Sequence, residues 1–598
     1  MFNNIIYFII VLLVFELGQS NSKHPGSLLY CISMVIVFWI FLTVYASTGF
    51  KRLVSLYKNA SVSGYAARYN RLVLRLSVIS IFIFSLDVFT LNLKYWIGNI
   101  PIAGNVYTLQ CLAAILLFTF YLSTIWYFAN PAHNIIFGTD TDRKAFVLWN
   151  IRLNVPVIFP WLLLALAFDL LSASPWPGFN SFLDTTTGQF LFFIFFLLIA
   201  LAFLPVVIMY FWGCRPIEDS FKAKSIRNFL KDLGVRYREL VNWPLLGGKM
   251  MTAGIMGIVP RYRYIMITES LMEVLTPAEL NAVMAHEAGH AKYNHQLRLA
   301  FLFLGFFVVI LGLFGPDYFF IMEYLISKIP GDIISGNLSY ILVAIPMLAA
   351  MIIYLRFVMG FFMRHFERQA DTYAALTIGD PEPIISSLEK IALLSGKIRD
   401  LPSWHHFSIR QRVDFLMESH QFPTLINRHR KFLILSSLAY LGVIIFLAYL
   451  LYISPVKEYI SRELFSSIVT EQIDKNPDNV ELLLNLASRC QEMDVPEKAV
   501  GIYERIISLD SKQPVALNNL AWLLVTTDDP KIRDTERGLS LAKKAVALEK
   551  SPVFLDTLAE AFWVNGNSEM AVSVIKEAIR LDKTKNPYYR KQLEKFRE

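Results

Sequence analysis

The sequence repeats apolar stretches long enough to cross a lipid bilayer, and this feature constrains the fold more than any other. About 20 apolar residues span the hydrocarbon core as a helix. Eight stretches are predicted to do so, at residues 28–47, 72–93, 107–128, 155–171, 190–212, 299–313, 340–362 and 432–453. Residues 5–17 are a ninth candidate, but this run is short, contains Glu16 and lacks the basic segment of a signal peptide. We therefore predict a mainly α-helical, multi-pass membrane protein.

Charge divides the chain near Ser454 and Pro455. Residues 457–598 carry 21 basic and 23 acidic residues, whereas the 456 residues before them carry only 35 basic and 25 acidic residues. A charged fraction of 44 in 142 is typical of a soluble domain, so residues 456–598 are predicted to fold outside the bilayer. The net charge of +8 is not gathered in one basic domain, which argues against a nucleic-acid partner.

Basic residues in the connecting segments predict the orientation of the spans. Segment 49–71 carries five basic residues and no acid, whereas segment 315–337 is mainly acidic. Because cytoplasmic loops are enriched in Lys and Arg, segments 213–298 and 363–430 are predicted to face the cytoplasm together. One more span then places the C-terminal domain on the opposite side of the membrane.

Two carboxylates, Asp87 and Asp169, lie inside apolar runs. Ionisable groups in such positions often line a polar path. The simpler interpretation is a hydrogen bond at a helix end or inside the helix bundle, and we favour it.

A helix with a metal-binding pattern is predicted from Thr276 onward. Thr276 can cap it, Pro277 suits its first turn and Glu279 completes a capping box. His286 and His290 stand four residues apart and therefore project from one face. Two imidazoles at this spacing can bind zinc, and the intervening Glu287 can take a proton from a metal-bound water.

A catalytic zinc ion usually has a third protein ligand. The best candidate is Glu367, which lies on the other predicted cytoplasmic segment just after a span. Asp371, one helical turn later, can accept the second N–H of a ligand imidazole and so fix its orientation. Alone, this acidic pair would be read as a solvated helix face.

The run from Tyr264 to His295 resembles the HtpX and CAAX prenyl protease family of integral-membrane zinc endopeptidases. In that family a strand leads into a helix carrying HExxH, and a distant ExxxD supplies the third ligand. The resemblance implies one zinc ion per chain, held by His286, His290 and Glu367. It also implies that Glu287 is the general base and that Asp371 supports the ligands.

The family pattern continues downstream with a His-Pro pair and an Arg six residues after the His. Here His406 and Arg412 keep that spacing, whereas Phe407 replaces the proline. The resemblance implies that His406 and Arg412 steady the anionic intermediate of peptide hydrolysis. The other interpretation of His406 is an ordinary loop histidine.

The family also has a strand beside the substrate that usually contains Asn-Ala. The corresponding residues here are Thr252, Ala253 and Gly254, so that Thr252 replaces the asparagine. We expect this segment to be an edge strand, to which an extended peptide can add through its main chain.

The C-terminal domain contains three internal repeats. The pairs Leu486-Ala487, Leu520-Ala521 and Leu558-Ala559 begin matching apolar patterns 34 and 38 residues apart. This spacing resembles tetratricopeptide repeats, whose units of about 34 residues form helical hairpins. Two functions remain open for them, a concave surface that binds a protein partner and a docking or spacer domain.

Together these patterns predict a membrane region at 1–212 and a peptidase domain at 213–430 that is interrupted by spans near 299–313 and 340–362. A last span at 431–453 and repeats at 456–598 follow. The predicted function is a zinc endopeptidase acting on membrane or membrane-proximal polypeptides. The alternatives are a CAAX prenyl protease-type processing enzyme and a non-catalytic membrane scaffold that retains a zinc site.

Overall fold

The computed structural model describes residues 2–18, 26–57, 63–102, 104, 106–172, 182–183, 185–245, 250–329, 337–394, 399–400, 403–582 and 586–597. They are mainly helical, with one small sheet, which confirms the predicted fold class. The chain forms two compact units. The membrane unit comprises Met1–Phe314 and Ile326–Leu447, and the repeat unit comprises Gly315–Leu325 and Ala448–Glu598.

The described residues of the N-terminal part of the membrane unit form helices. They are α1 (Phe2–Leu17), α2 (Leu28–Tyr57), α3 (Ser63–Phe89), α4 (Leu93–Gly98), α5 (Tyr107–Phe137), α6 (Arg143–Asn154), α7 (Phe159–Ser172) and α8 (Thr186–Phe211). Helix α1 is shorter than a span, and it buries Phe8, Val11 and Phe15 in the common core of this helix bundle.

Within the described residues, seven helices are long and apolar enough to cross a membrane. They are Leu28–Leu56, Tyr65–Phe89, Tyr107–Phe137, Leu191–Phe211, His295–Leu313, Leu342–Ile378 and Thr424–Ile453, and each overlaps one of the predicted stretches. The remaining predicted stretch, 155–171, stays a prediction. It falls on helices α6 and α7, which are long and apolar enough to span only as a pair and are bent by 60° across a 3₁₀ turn at Val155–Ile158. Pro156 is the second residue of this turn and has no N–H to continue a helical ladder.

Both membrane carboxylates make local hydrogen bonds. Tyr121 donates to Asp87 Oδ2 at 2.7 Å, and the backbone N–H and hydroxyl of Thr108 donate to Asp169 Oδ2 at 2.8 and 2.7 Å. Asp169 thereby caps the first turn of α5, where a helix has unpaired N–H groups. The geometry agrees with the simpler interpretation of both residues.

A four-stranded sheet follows α8 and carries the substrate-side strand predicted from sequence. Its strands are β1 (Arg215–Pro216), β2 (Glu239–Asn242), β3 (Ala253–Met256) and β4 (Tyr264–Ile267), in the order β1-β2-β4-β3. Helix α9 (Phe221–Asp232) precedes β2, and α10 (Glu269–Val274) follows β4. Strand β3 pairs antiparallel with β4, so it is an edge strand and begins one residue after Thr252.

Eight helices follow α10 in the described part of the chain up to Ala448. They are α11 (Pro277–Lys292), α12 (His295–Leu313), α13 (Pro316–Ser327), α14 (Asn337–Ile353), α15 (Gly360–Ile378), α16 (Glu382–Leu394), α17 (Ile409–Gln421) and α18 (Thr424–Ala448). A π-helical turn at Tyr354–Met359 joins α14 to α15. Leu240, Ile265, Leu280 and Met284 bury the sheet against α11.

The repeat unit consists of paired helices, as the sequence periodicity predicts. They are α19 (Pro455–Lys475), α20 (Val480–Glu492), α21 (Pro496–Leu509), α22 (Pro514–Thr526), α23 (Thr535–Leu548), α24 (Pro552–Val564), α25 (Ser568–Leu581) and α26 (Pro587–Lys595). The Leu-Ala pairs occupy corresponding buried positions in α20, α22 and α24. Small residues at these positions let helices approach closely, as in stacked helical repeats.

The start of α13 belongs to the repeat unit, although the sequence suggested only an acidic connection there. The Phe320 ring lies 4.6 Å from that of Phe465 in α19. The Arg489 guanidinium lies over Phe320, 5.2 Å from its centre, and 3.6 Å from a carboxylate oxygen of Glu323. Residues Gly315–Leu325 therefore pack on the first helices of the repeat unit.

Candidate metal centre

Helix α11 has the cap predicted for it and presents both histidines on one face. The Thr276 hydroxyl accepts the Glu279 N–H at 3.3 Å, and the Glu279 carboxylate accepts the Thr276 N–H at 2.8 Å. The Nε2 atoms of His286 and His290, one turn apart, lie 3.1 Å from each other.

Glu367 on α15 meets these two rings. Its carboxylate oxygens lie 3.6 Å from His286 Nε2 and 3.6 Å from His290 Nε2. Four ligands at 2.0–2.1 Å around a tetrahedral zinc ion are about 3.3 Å apart. The three donor atoms lie within 4.8 Å of one another, so their spacing and chemistry fit one such ion.

Gly289 allows α11 and α15 to approach this closely. A Cβ atom at this position would lie 3.1 Å from the Tyr373 ring and 3.2 Å from the Ala370 Cα. Gly289 had no predicted role, although a glycine inside a helix weakens it and usually has a packing reason.

The second nitrogen of His286 faces Asp371, as the resemblance implies. Its Nδ1 lies 2.9 Å from Asp371 Oδ1. Asp371 is also held by Arg412, which donates from Nε at 2.8 Å and from Nη2 at 2.6 Å. Carboxylate and guanidinium therefore form a buried two-point pair beside the His286 ring.

His290 has a different support, which the sequence analysis missed. Its Nδ1 lies 2.9 Å from Nδ1 of His295, and His295 Nε2 lies 3.0 Å from Oε1 of Gln369. His295 belongs to the run that resembles the protease family, but nothing in the spacing assigned it a partner. Gln369 lies between Glu367 and Asp371 on α15, where a search for polar residues could have found it.

His406 reaches the same cluster from the segment before α17. Its Nδ1 lies 3.2 Å from Glu367 Oε2, and its side chain is 41% exposed. The Ser403 hydroxyl accepts the His406 N–H at 2.9 Å. Phe407, in place of the family proline, lies 4.2 Å under the Arg368 guanidinium, which helps hold this backbone.

Arg412 lies deeper than His406, with its guanidinium 13% exposed. Its Nη2 lies 3.7 Å from Glu367 Oε2, in addition to the pair with Asp371. Arg412 and His406 both line the cavity described next.

A cavity of about 950 Å³ opens over the cluster. Its lining includes His286, Glu287, His290 and Glu367 together with Thr252, Ala253 and Gly254. Ala66, Asn70 and Phe137, from α3 and α5, contribute a further part of the lining. The residues predicted from sequence therefore meet around one space, and part of its wall comes from the N-terminal helices.

Burial sets the protonation of the groups on α11. It raises the pKa of Glu287 to about 7, helped by the charge of Glu367 and opposed by His286, the Ile255 N–H and Arg412. It lowers the pKa of His290 to about 3, which favours the neutral imidazole that a metal requires.

The central part of the chain is similar to known proteins. Residues 247–433 match the family model described as Peptidase family M48. A Protease HtpX homolog from Dictyoglomus turgidum is 34% identical over 137 residues, which are 22% of this chain and 42% of the relative. A second Protease HtpX homolog, from Thermoplasma acidophilum, is 32% identical over 136 residues, which are 23% of this chain and 39% of the relative. The chain thus spans about two fifths of these relatives, and the predicted family resemblance is confirmed.

Two solved structures are similar at low sequence identity. The crystal structure of S. mikatae Ste24p is 18% identical, covers 67% of this chain and all of that chain, and has a TM-score of 0.34. The crystal structure of yeast Tom70 is 14% identical, covers 92% of this chain and 96% of that chain, and has a TM-score of 0.21. Neither superposition is close enough to transfer the role of a residue.

Proposed function

We propose that this chain, with its M48 peptidase segment in a multi-pass membrane protein, is a zinc-dependent endopeptidase. It hydrolyses peptide bonds of membrane or membrane-proximal polypeptides. The main supporting observation is the convergence of His286, His290 and Glu367, whose donor atoms lie within 4.8 Å of one another, beside Glu287 in one cavity. A zinc ion held there supplies a Lewis acid and lowers the pKa of its bound water.

Glu287 is the proton carrier of this proposal. Its pKa of about 7 suits a group that takes a proton from the attacking water and later gives it to the leaving amine nitrogen. Asp371 lies 2.9 Å from Nδ1 of His286 and is itself held by Arg412, and this pair keeps the ring of His286 in place.

His406 is the better placed of the two residues proposed to steady the oxyanion. It is half-exposed at the cavity, whereas Nε and Nη2 of Arg412 are already bound to Asp371. Arg412 then acts on the intermediate mainly through its positive charge, 3.7 Å from Glu367. The resemblance implies that both residues steady the intermediate, and these different positions give His406 the direct contact and Arg412 the more distant charge.

The cavity wall supports a polypeptide substrate. Ala253 and Gly254 belong to an edge strand that lines it, and Val283, Leu299 and Leu388 add apolar surface. An edge strand binds an extended chain through main-chain hydrogen bonds, with pockets for its side chains.

We further propose that the metal centre faces the cytoplasm and that the repeats lie on the other side of the membrane. Loop charges support the first part. The packing of Phe320 on Phe465 within the repeat unit supports the second. Since Phe320 belongs to the connection between spans α12 and α14, this packing requires that connection to lie on the same side of the membrane as the repeats.

Purified full-length protein provides the direct test. Metal content and cleavage of casein or of a membrane-protein substrate are compared for wild type, Glu287→Gln and, as an exposed control, Glu269→Gln. We expect about one zinc per chain in all three proteins, and cleavage that only Glu287→Gln abolishes. Bound zinc without Glu287-dependent cleavage of any substrate, prenylated peptides included, would favour the scaffold. Activity restricted to prenylated peptides would favour the CAAX-type enzyme.

A further inference from the structure

Strand β3 has one paired edge and one edge turned toward the metal centre. Gly254 and Met256 stand opposite Met266 and Tyr264 of β4, and the Thr252 carbonyl accepts the Thr268 N–H at 3.1 Å. Backbone groups of an antiparallel strand alternate between its two edges with a period of two residues. The outer edge is therefore formed by Ala253, Ile255 and Gly257.

Part of this outer edge is already occupied by side chains. The Ile255 backbone lies close enough to the Glu287 carboxylate to oppose the rise of its pKa, and both residues line the cavity. The Gln296 carboxamide donates to the Ile255 carbonyl at 2.6 Å and accepts the Gly257 N–H at 2.9 Å. Gln296 thus brings one donor and one acceptor, the two kinds of group that the main chain of an added strand would bring.

The outer edge is open on the other side of Ile255. Among the described residues, the Ala253 N–H has no partner, and its carbonyl receives only the Thr252 hydroxyl at 3.3 Å. Ala253 and Gln296 both line the cavity over the metal centre. An arriving peptide therefore finds unpaired main chain at one end of β3 and an occupied edge at the other.

We propose that Gln296 ends the substrate-binding edge, so that main-chain pairing extends from the scissile bond in one direction only. Because Ile255 and Glu287 line the same cavity, we place the bond to be cleaved opposite the middle of β3. On the Ala253 side, each further substrate residue that faces the edge gains main-chain hydrogen bonds. On the Gly257 side, the Gln296 carboxamide already bonds the Ile255 carbonyl and the Gly257 N–H. Main-chain pairing of the substrate therefore stops there after the first residues.

Gln296 is held where it acts by its place in the chain. It is the second residue of α12, directly after His295, whose ring contacts His290 and Gln369. The carboxamide is therefore anchored beside the ligand histidines and is not carried on a separate loop. Gln296 acts as a specificity-determining residue, and this inference rests on the proposed peptidase function.

Peptides of graded length test the proposal. They are built around one casein bond that the purified full-length protein cleaves, and are extended one residue at a time on either side. Values of kcat/KM are compared for wild type, Gln296→Ala and, as an exposed control at the end of α17, Gln421→Ala. Zinc content is measured for each protein.

In wild type and Gln421→Ala, we expect kcat/KM to rise by about threefold to tenfold for each edge-paired residue on one side. On the other side it levels off after one or two residues. In Gln296→Ala, with unchanged zinc content, the rise continues further on that second side. The side that levels off also reveals whether the substrate runs parallel or antiparallel to β3.

The same length dependence in wild type and Gln296→Ala would overturn the proposal, because Gln296 would then move aside for substrate. Glu287→Gln separates the two questions. Failure of any protein to cleave the parent peptide in a Glu287-dependent manner counts against the peptidase function, whereas cleavage with symmetrical length dependence counts only against the role of Gln296.

Discussion

The Gln369 carboxamide oxygen lies 3.0 Å from Nε2 of His295, and this contact determines which nitrogen of His290 can bind a metal. Since Gln369 Oε1 only accepts hydrogen bonds, His295 carries its proton on Nε2. His295 Nδ1 then accepts the Nδ1 proton of His290, 2.9 Å away. The lone pair of His290 Nε2 is left for the metal.

Removal of this contact is expected to weaken zinc binding. Gln369→Leu keeps the size of the side chain but loses the acceptor, and outer partners of this kind typically contribute about 10-fold to 100-fold in metal affinity. Gln369→Glu keeps an acceptor and is expected to bind zinc close to the wild-type affinity. Competition with a chelator measures all three proteins. Equal affinities of Gln369→Leu and wild type would contradict this account.

The buried pair of Arg412 and Asp371 is expected to be sensitive to loss of one partner. Arg412→Met leaves the Asp371 carboxylate, 2% exposed, without its guanidinium, which costs about 3–5 kcal/mol in comparable cases. Arg412→Lys loses the two-point geometry and recovers only part of the stability. Thermal unfolding of the zinc-free proteins, with Arg412→Met/Asp371→Asn as a compensated control, checks this order. A double variant less stable than Arg412→Met would contradict it.

Gly289 is expected to control the distance between α11 and α15. Gly289→Leu places a side chain against Ala370 and Tyr373 and moves Glu367 away from the histidines, so zinc affinity falls. Gly442→Leu is the matched control, because a Cβ at Gly442 meets nothing within 4 Å. Zinc content after dialysis against a weak chelator measures the effect, and similar retention by both variants would argue against close helix packing as the cause.

Glu279 is expected to make the peptidase segment less stable at acid pH. Burial alone would raise its pKa, but hydrogen bonds from Lys390, Ser386 and Thr276 outweigh burial and lower it to about 2. A carboxyl whose pKa is lowered from 4.5 by folding contributes its full stability above about pH 4.5 and loses it as the pH falls toward 2.

Unfolding temperatures of the zinc-free proteins between pH 6 and pH 3 check this expectation. Glu279→Gln is less stable than wild type at pH 6, and the difference shrinks toward pH 3. The exposed control Glu273→Gln shows no such convergence. A constant gap between Glu279→Gln and wild type across this range would be inconsistent with the prediction.

The proposed sidedness can be tested in intact cells. Ser55→Cys in α2 and Ser511→Cys in the repeat unit are made in a chain without other cysteines and exposed to a membrane-impermeant maleimide. We expect only one of the two positions to react before permeabilisation, because loop charge places them on opposite sides. Labelling of both positions from one side would defeat the topology.

Local patterns determined the parts of the structure that depend on near neighbours in the chain. Apolar length predicted the helices that contain the spans, since an isolated backbone can satisfy its hydrogen bonds in lipid only as a helix. The capping residues of α11 and the four-residue spacing of His286 and His290 follow from helical geometry alone. The Leu-Ala periodicity predicted the paired repeat helices for the same reason. At the predicted span 155–171, Pro156 lies in a bend between two helices, and whether this pair crosses the membrane stays a prediction.

The tertiary structure decided what local spacing leaves open. Glu367 follows His290 by 77 positions, and they meet because Gly289 lets two helices pack closely. The ring nitrogens are oriented by Asp371 on one side and by His295 with Gln369 on the other. The edge of β3 is closed at one end by Gln296. The sequence by itself supplied the chemical groups, because the type of a residue and its position on a helix face are local properties. Their distances and directions come from packing between distant segments, which local periodicity does not encode.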